Sequence, residues 1–141
     1  MEMNEDLFQD LLTLKRDNIS AVKHYQYAAQ QVESTLLQTF FEDQIAGHSD
    51  FNTQLENIIN SANRWDLMDK EGDQSNAKAR VTPENIKNLI GIEVKKIGLL
   101  DTILAKHQDW PADLKDVIEA QKDQRLKAIE RLKKIDVEIS A

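Results

Sequence analysis

The sequence predicts an all-α fold: a four-helix bundle made of two antiparallel helix hairpins joined by a long crossover. Three observations predict it. Only four Gly and two Pro occur in 141 residues, too few for a strand-and-turn fold. Four long runs repeat apolar residues in steps of three and four, the spacing of one helix face. Two of the breaks between runs are short and one is long, so sequential helices pair closely at each end of the chain while the middle connection has reach.

The first run spans about 4–32. Leu7, Leu11, Leu14, Ala21, Tyr25, Ala28 and Val32 form its seam, with the polar Asn18 at one central step. A second stripe of Phe8, Leu12, Ile19, Val22 and Ala29 widens the apolar face enough to meet two neighbours. The break after it rests on Glu33-Ser34-Thr35. Ser34 or Thr35 serves as N-cap of the next helix, and the alternative is one continuous helix to residue 62. The second run, about 35–62, has the seam Leu37, Phe41, Gln44, His48, Phe51, Leu55, Ile58 and Ala62. Gly47 stands beside His48; an interior Gly costs about 1 kcal/mol relative to Ala, which implies close approach of a neighbouring helix or of a bulky side chain.

Residues 63–81 lose the periodicity and hold the turn formers Gly72, Asp73, Ser75 and Asn76. Nineteen extended residues reach ~60 Å, more than the ~40 Å of a 27-residue helix. The connector is therefore long enough to leave the second and third runs parallel. The third run, about 83–107, opens on Thr82 as N-cap, Pro83 in the first turn and Glu84 at the positive end of the dipole. Its seam is Ile86, Ile90, Glu93, Ile97, Leu100 and Leu104, flanked by Leu89, Val94 and Ile103. After the turn at Gln108–Trp110, Pro111 starts the fourth run, about 111–137. Its stripe is Leu114, Ile118, Gln121, Arg125, Ala128, Leu132 and Ile135, with Val117, Leu126 and Ile129 beside it.

The polar interruptions are placed to meet. Asn18 and His48 stand at nearly equal distances from the turn near residue 34, and Glu93 and Arg125 at equal distances from the turn near residue 109. In antiparallel hairpins such pairs are level. The expectation is one buried polar layer of Asn18, His48, Glu93 and Arg125, with Gln44, Gln121 and Lys122 nearby. Its core is a Glu93–Arg125 ion pair, with His48 and Asn18 completing the hydrogen bonds.

On these residues the chain resembles the ferritin-like four-helix bundles, and within them a bacterial branch of unknown function. The likeness rests on Ile45-Ala46, His48, Phe51 and Leu55, and on Pro111 through Ile129-Glu130-Arg131-Leu132. Active members of that family hold a di-iron or di-manganese centre. One Glu comes from each of two helices and a Glu-x-x-His pair from each of the other two. Carried onto this chain, the ligand set breaks down. Asn18 stands in the first Glu position, with Tyr25 one heptad later as a core tyrosine. If His48 is the second-helix His, Ile45 fills its Glu position; if His48 takes the Glu position, Phe51 fills that of the His. Glu93 keeps its carboxylate. Lys122 and Arg125 put cations where the last ligands belong, and cations there oppose a metal electrostatically. The resemblance thus implies the scaffold without metal ligands, catalytic residues or a bound cofactor.

Composition narrows the function further. With a net charge of −7, the surface repels nucleic-acid phosphates and anionic membranes. Cysteine is absent, which removes disulfides, thiolate catalysis and Cys-based zinc sites. No P-loop, Gly-x-Ser-x-Gly or His-Glu-x-x-His occurs. His24 and His107 are expected to be exposed, and Glu42, Asp43 and Asp101 to be solvated charges. The acidic start, without a long apolar stretch, points to a bacterial-type cytoplasmic protein. The functional expectation is a non-enzymatic structural or interaction protein, with self-association a matter for size measurement. One alternative is an Fe- or Mn-binding oxidoreductase or metal store with an unusual ligand set. Another is a helical adaptor using Trp65 and Trp110 as anchors for a protein partner.

Overall fold

The computed structural model of the protein describes residues 4–61, 85–111 and 113–140. Among them are four helices and no strand: α1 Glu5–Gln31, α2 Thr35–Ser61, α3 Ile86–Lys106 and α4 Leu114–Ser140. The structure is an all-α four-helix bundle. Among the described residues no helix is long and apolar enough to cross a membrane.

Local chemistry sets the boundaries. Asn4 caps α1, its Oδ1 accepting from Leu7 N at 2.8 Å, and Glu5 and Asp6 lie in the first turn, where acids favour the dipole. The chain turns extended at Val32, which rules out one continuous helix to residue 62. Of the two candidate caps it is Ser34 that acts, its Oγ accepting from Leu37 N at 3.3 Å.

The third helix differs from expectation. It opens at Ile86 behind Asn85, whose Oδ1 accepts from Asn88 N at 3.0 Å; an Asn side chain caps as well as a Thr. Thr82, Pro83 and Glu84, and the connector 63–81 with Trp65, lie outside the described residues. The fourth helix opens later than Pro111. Leu114 N bonds Pro111 O at 3.2 Å in a turn, and Asp113 takes φ 71°, a left-handed geometry that interrupts helical winding. The helix then continues beyond residue 137 to Ser140.

Cross-helix contacts give the arrangement. α1 packs on α2 and α3 on α4, while α2 also faces α4. The start of α1 meets the end of α3 through Asp10 and His107, and its far end meets the middle of α3 through Tyr25 and Glu93. These two helices are therefore antiparallel. α2 and α4 are antiparallel as well, as Asp43 bonds Arg131 and His48 contacts Arg125. α2 and α3 consequently point the same way.

The core has two apolar halves. One gathers Leu7, Phe8 and Leu11 with Phe51, Leu55, Leu100 and Ile118. The other gathers Tyr25, Ala28, Phe40 and Phe41 with Leu89, Ala128 and Leu132. Between them lies a buried polar stretch. Two expected core positions turn outward: Val94 and Leu126 are 54% and 45% exposed. On α3 the buried line runs through Ile86, Leu89, Glu93, Leu100 and Ile103. Leu89 and Ile103, expected at its edges, belong to this buried line.

Candidate functional site: a buried ion-paired layer

All four residues expected in the polar layer are buried: Asn18, His48, Glu93 and Arg125. Gln44 and Gln121 are buried with them. Glu93 is wholly enclosed, and so is its ion pair with Arg125. The Arg125 Nη1 lies 3.2 and 3.1 Å from the two Glu93 carboxylate oxygens. The same Nη1 lies 3.3 Å from His48 Nε2.

This geometry assigns the histidine tautomer. A guanidinium only donates, so Nε2 of His48 accepts and carries no proton. Nδ1 then bears the hydrogen and donates to the Gln44 carbonyl at 2.7 Å. Burial, and next the charges of Arg125 and Lys96, hold the His48 pKa well below the usual histidine value of 6.5. His48 is a neutral acceptor fixed from both sides.

The fourth member of the network is Tyr25, not Asn18. The Tyr25 hydroxyl donates to Glu93 Oε1 at 2.5 Å. Burial first, and then the neighbouring Glu93 charge, push the Tyr25 pKa well above 10.0, so the phenol remains a donor. Tyr25 also stacks on Phe41 and meets Phe40 and His48 edge-on, with ring centroids 5.5, 6.3 and 5.8 Å away. Asn18 makes no equivalent bond: its Nδ2 has no hydrogen-bond partner among the described residues. Reach explains the difference. A helical side chain leans toward its helix N-terminus, so the long Tyr25 reaches back to Glu93 where the short Asn18 does not. The available signal was the phenol itself, since a buried tyrosine hydroxyl usually finds a polar partner.

Three other expectations change. Lys122 is outside the layer; it pairs with Asp101 at 2.6 Å on the outer face of α3 and α4. His24 and His107 are buried rather than exposed. His107 Nε2 lies 2.6 Å from Asp10 Oδ2 and joins the end of α3 to α1. Trp110 is half-buried and donates to the His107 carbonyl at 3.0 Å. Glu42 and Asp43 are exposed, Asp43 pairing with Arg131 at 2.6 Å. At Gly47, a Cβ would come within 3.3 Å of Gln124 Oε1 and 3.8 Å of Arg125 Nη2. The glycine therefore accommodates side chains of α4 rather than its backbone.

The donor set does not fit a metal. Among the described residues no three His, Asp or Glu side chains converge on one point. Glu93 and His48 do converge, but on Arg125 Nη1, so a fixed positive charge occupies the position a cation would need.

One consequence is measurable. The unfolded chain protonates His48 near pH 6.5, while the folded chain resists protonation to well below that value. Below pH 6.5 the unfolded state therefore binds more protons, and stability must fall as pH falls. The contribution is intact above 6.5, and its slope approaches about 1.4 kcal/mol per pH unit below it. Urea titrations between pH 7 and 5 are expected to show this slope in the wild type and a shallower one in His48→Gln. Equal slopes would contradict a buried neutral His48.

The fold and the layer define a class: an all-α four-helix bundle divided by a buried, charge-paired polar layer. Comparison does not narrow it further: no protein-family model matches the chain, and no curated protein or solved structure matches it significantly.

Proposed function

We propose that the chain is a non-enzymatic bundle of ferritin-like topology, acting as a structural or interaction protein, in which an arginine ion pair takes the place of a di-metal centre. One observation carries this reading: Arg125 Nη1 lies within 3.3 Å of both Glu93 carboxylate oxygens and of His48 Nε2. The two side chains best suited to hold a metal are thereby engaged by a permanent cation. The antiparallel pairings, with α2 and α3 pointing the same way, agree with two hairpins joined by a crossover. The layer also divides the apolar core and fixes which helix positions face one another. Buried polar groups serve best in that registry role.

Metal analysis tests the proposal. Protein purified without chelator and then exposed to Fe(II) or Mn(II) is expected to retain far less than one equivalent after desalting. Glu93→Gln, which keeps the shape of the site, is expected to leave that amount unchanged. Stoichiometric Fe or Mn that is lost in Glu93→Gln would establish the metal-binding alternative instead.

A further inference from the structure

A cavity of about 540 Å³ lies in a groove between α1 and α3, and neither Glu93, His48 nor Arg125 is among the residues that line it. Its origin is local. α1 packs closely on α2, and α3 on α4, while the facing α1 and α3 walls carry the small residues Ser20, Ala21 and Gly91. A side chain at Gly91 would meet nothing within 4 Å. The volume is within the roughly 300–1,000 Å³ usual for small-molecule sites.

The lining has two kinds of surface. Ala21, Ile92 and Leu99 supply apolar walls. Lys95 and Lys96 supply positive charge, unlike the chain as a whole at −7. Lys96 is answered by Asp17 at 3.2 Å, whereas Lys95 is exposed and forms no ion pair among the described residues. Among the described residues the groove therefore offers one ammonium without a counter-charge, beside an apolar wall. That combination suits a ligand with one negative charge and a short apolar body; a dianionic phosphate would remain half uncompensated.

We propose that the α1–α3 groove binds a small amphipathic carboxylate, its carboxylate on Lys95 and its hydrocarbon against Ala21, Ile92 and Leu99. The site uses none of the side chains that hold the Arg125 ion pair and does not depend on the metal question. It gives the bundle a ligand-binding role without chemistry.

Octanoate is a suitable probe, titrated below its micelle concentration into ¹⁵N-labelled protein. Saturable shifts are expected at the amides of Ser20, Ala21, Gly91 and Lys95. Lys95→Glu is expected to weaken binding by roughly fivefold to tenfold, as reversal of one exposed charge does. Gly91→Met projects a side chain into the groove and is expected to weaken binding by roughly tenfold or more. It should also preserve the fold, since the new side chain enters open space and improves helix propensity; circular dichroism checks this. Gly98→Met makes the same change at a second open glycine that does not line the groove, and should leave binding intact. Absence of saturable binding, shifts centred on another face, or undiminished binding by Gly91→Met would each overturn the proposal. So would equal competition by inorganic phosphate, which would leave the apolar wall without a role.

Discussion

Glu93→Ala is expected to lower the unfolding free energy by about 3–5 kcal/mol, the cost of leaving a buried charge without its partner. Arg125 is 1% exposed and Glu93 0%, so water cannot replace the carboxylate without opening the bundle. The guanidinium would retain only the neutral His48 Nε2 as a polar partner among the contacts of its Nη1. Its Nε already has none among the described residues. Tyr25 would lose the acceptor of its hydroxyl as well. The loss is a substantial part of the roughly 5–15 kcal/mol that stabilises a domain. The pair itself need not be stabilising relative to an apolar replacement. Glu93→Leu combined with Arg125→Met is expected to come within about 1–2 kcal/mol of the wild type or exceed it. Urea denaturation of both variants measures the contrast. A cost below about 1 kcal/mol for Glu93→Ala would mean that Arg125 reaches solvent, and the enclosed layer would be wrong.

The second large effect is expected at Phe41. Phe41→Ala removes a fully buried ring and should cost about 3–5 kcal/mol through lost burial and the cavity left behind. The position matters beyond its volume. Phe41 stacks on Tyr25 at 5.5 Å and meets Phe40 edge-on at 5.6 Å. It is part of what aims the Tyr25 hydroxyl at Glu93. Tyr25→Phe alone, which deletes only that donor, should cost about 1–3 kcal/mol. The packing loss is the larger of the two. The double variant is expected to cost less than the sum, because a Tyr25 loosened by Phe41→Ala already makes a poorer hydrogen bond; contacting residues commonly couple in this way. Additivity within about 0.3 kcal/mol would show that Phe41 packs without positioning Tyr25.

Much of the fold was legible because helical periodicity is a local signal. Leu7, Leu11 and Leu14, or Leu114 and Ile118, mark a buried face whatever they pack against. Ser34 marks a cap because a hydroxyl before a helical run satisfies a free amide. Level positions on antiparallel hairpins also brought Glu93 and Arg125 opposite one another, since helix rise is constant. Other features were not local. Val94 and Leu126 look like flanks of the apolar face in sequence, yet both are exposed, because how far a buried face extends around a helix is set by its neighbours. His24 and His107 look like surface residues in isolation, yet both are buried, His107 beside Asp10 from the far end of the chain.

By itself, the sequence determined an acidic all-α chain with four amphipathic helices and a polar interruption midway along each, because composition and spacing are properties of the chain alone. Only the tertiary structure decided what those interruptions become. It placed a single guanidinium nitrogen between Glu93 and His48, and it brought in Tyr25 where Asn18 was too short to reach. It also opened the groove beside Gly91. Each of these depends on how far apart two helices lie and how each is rotated, and those quantities are set by packing across the whole bundle.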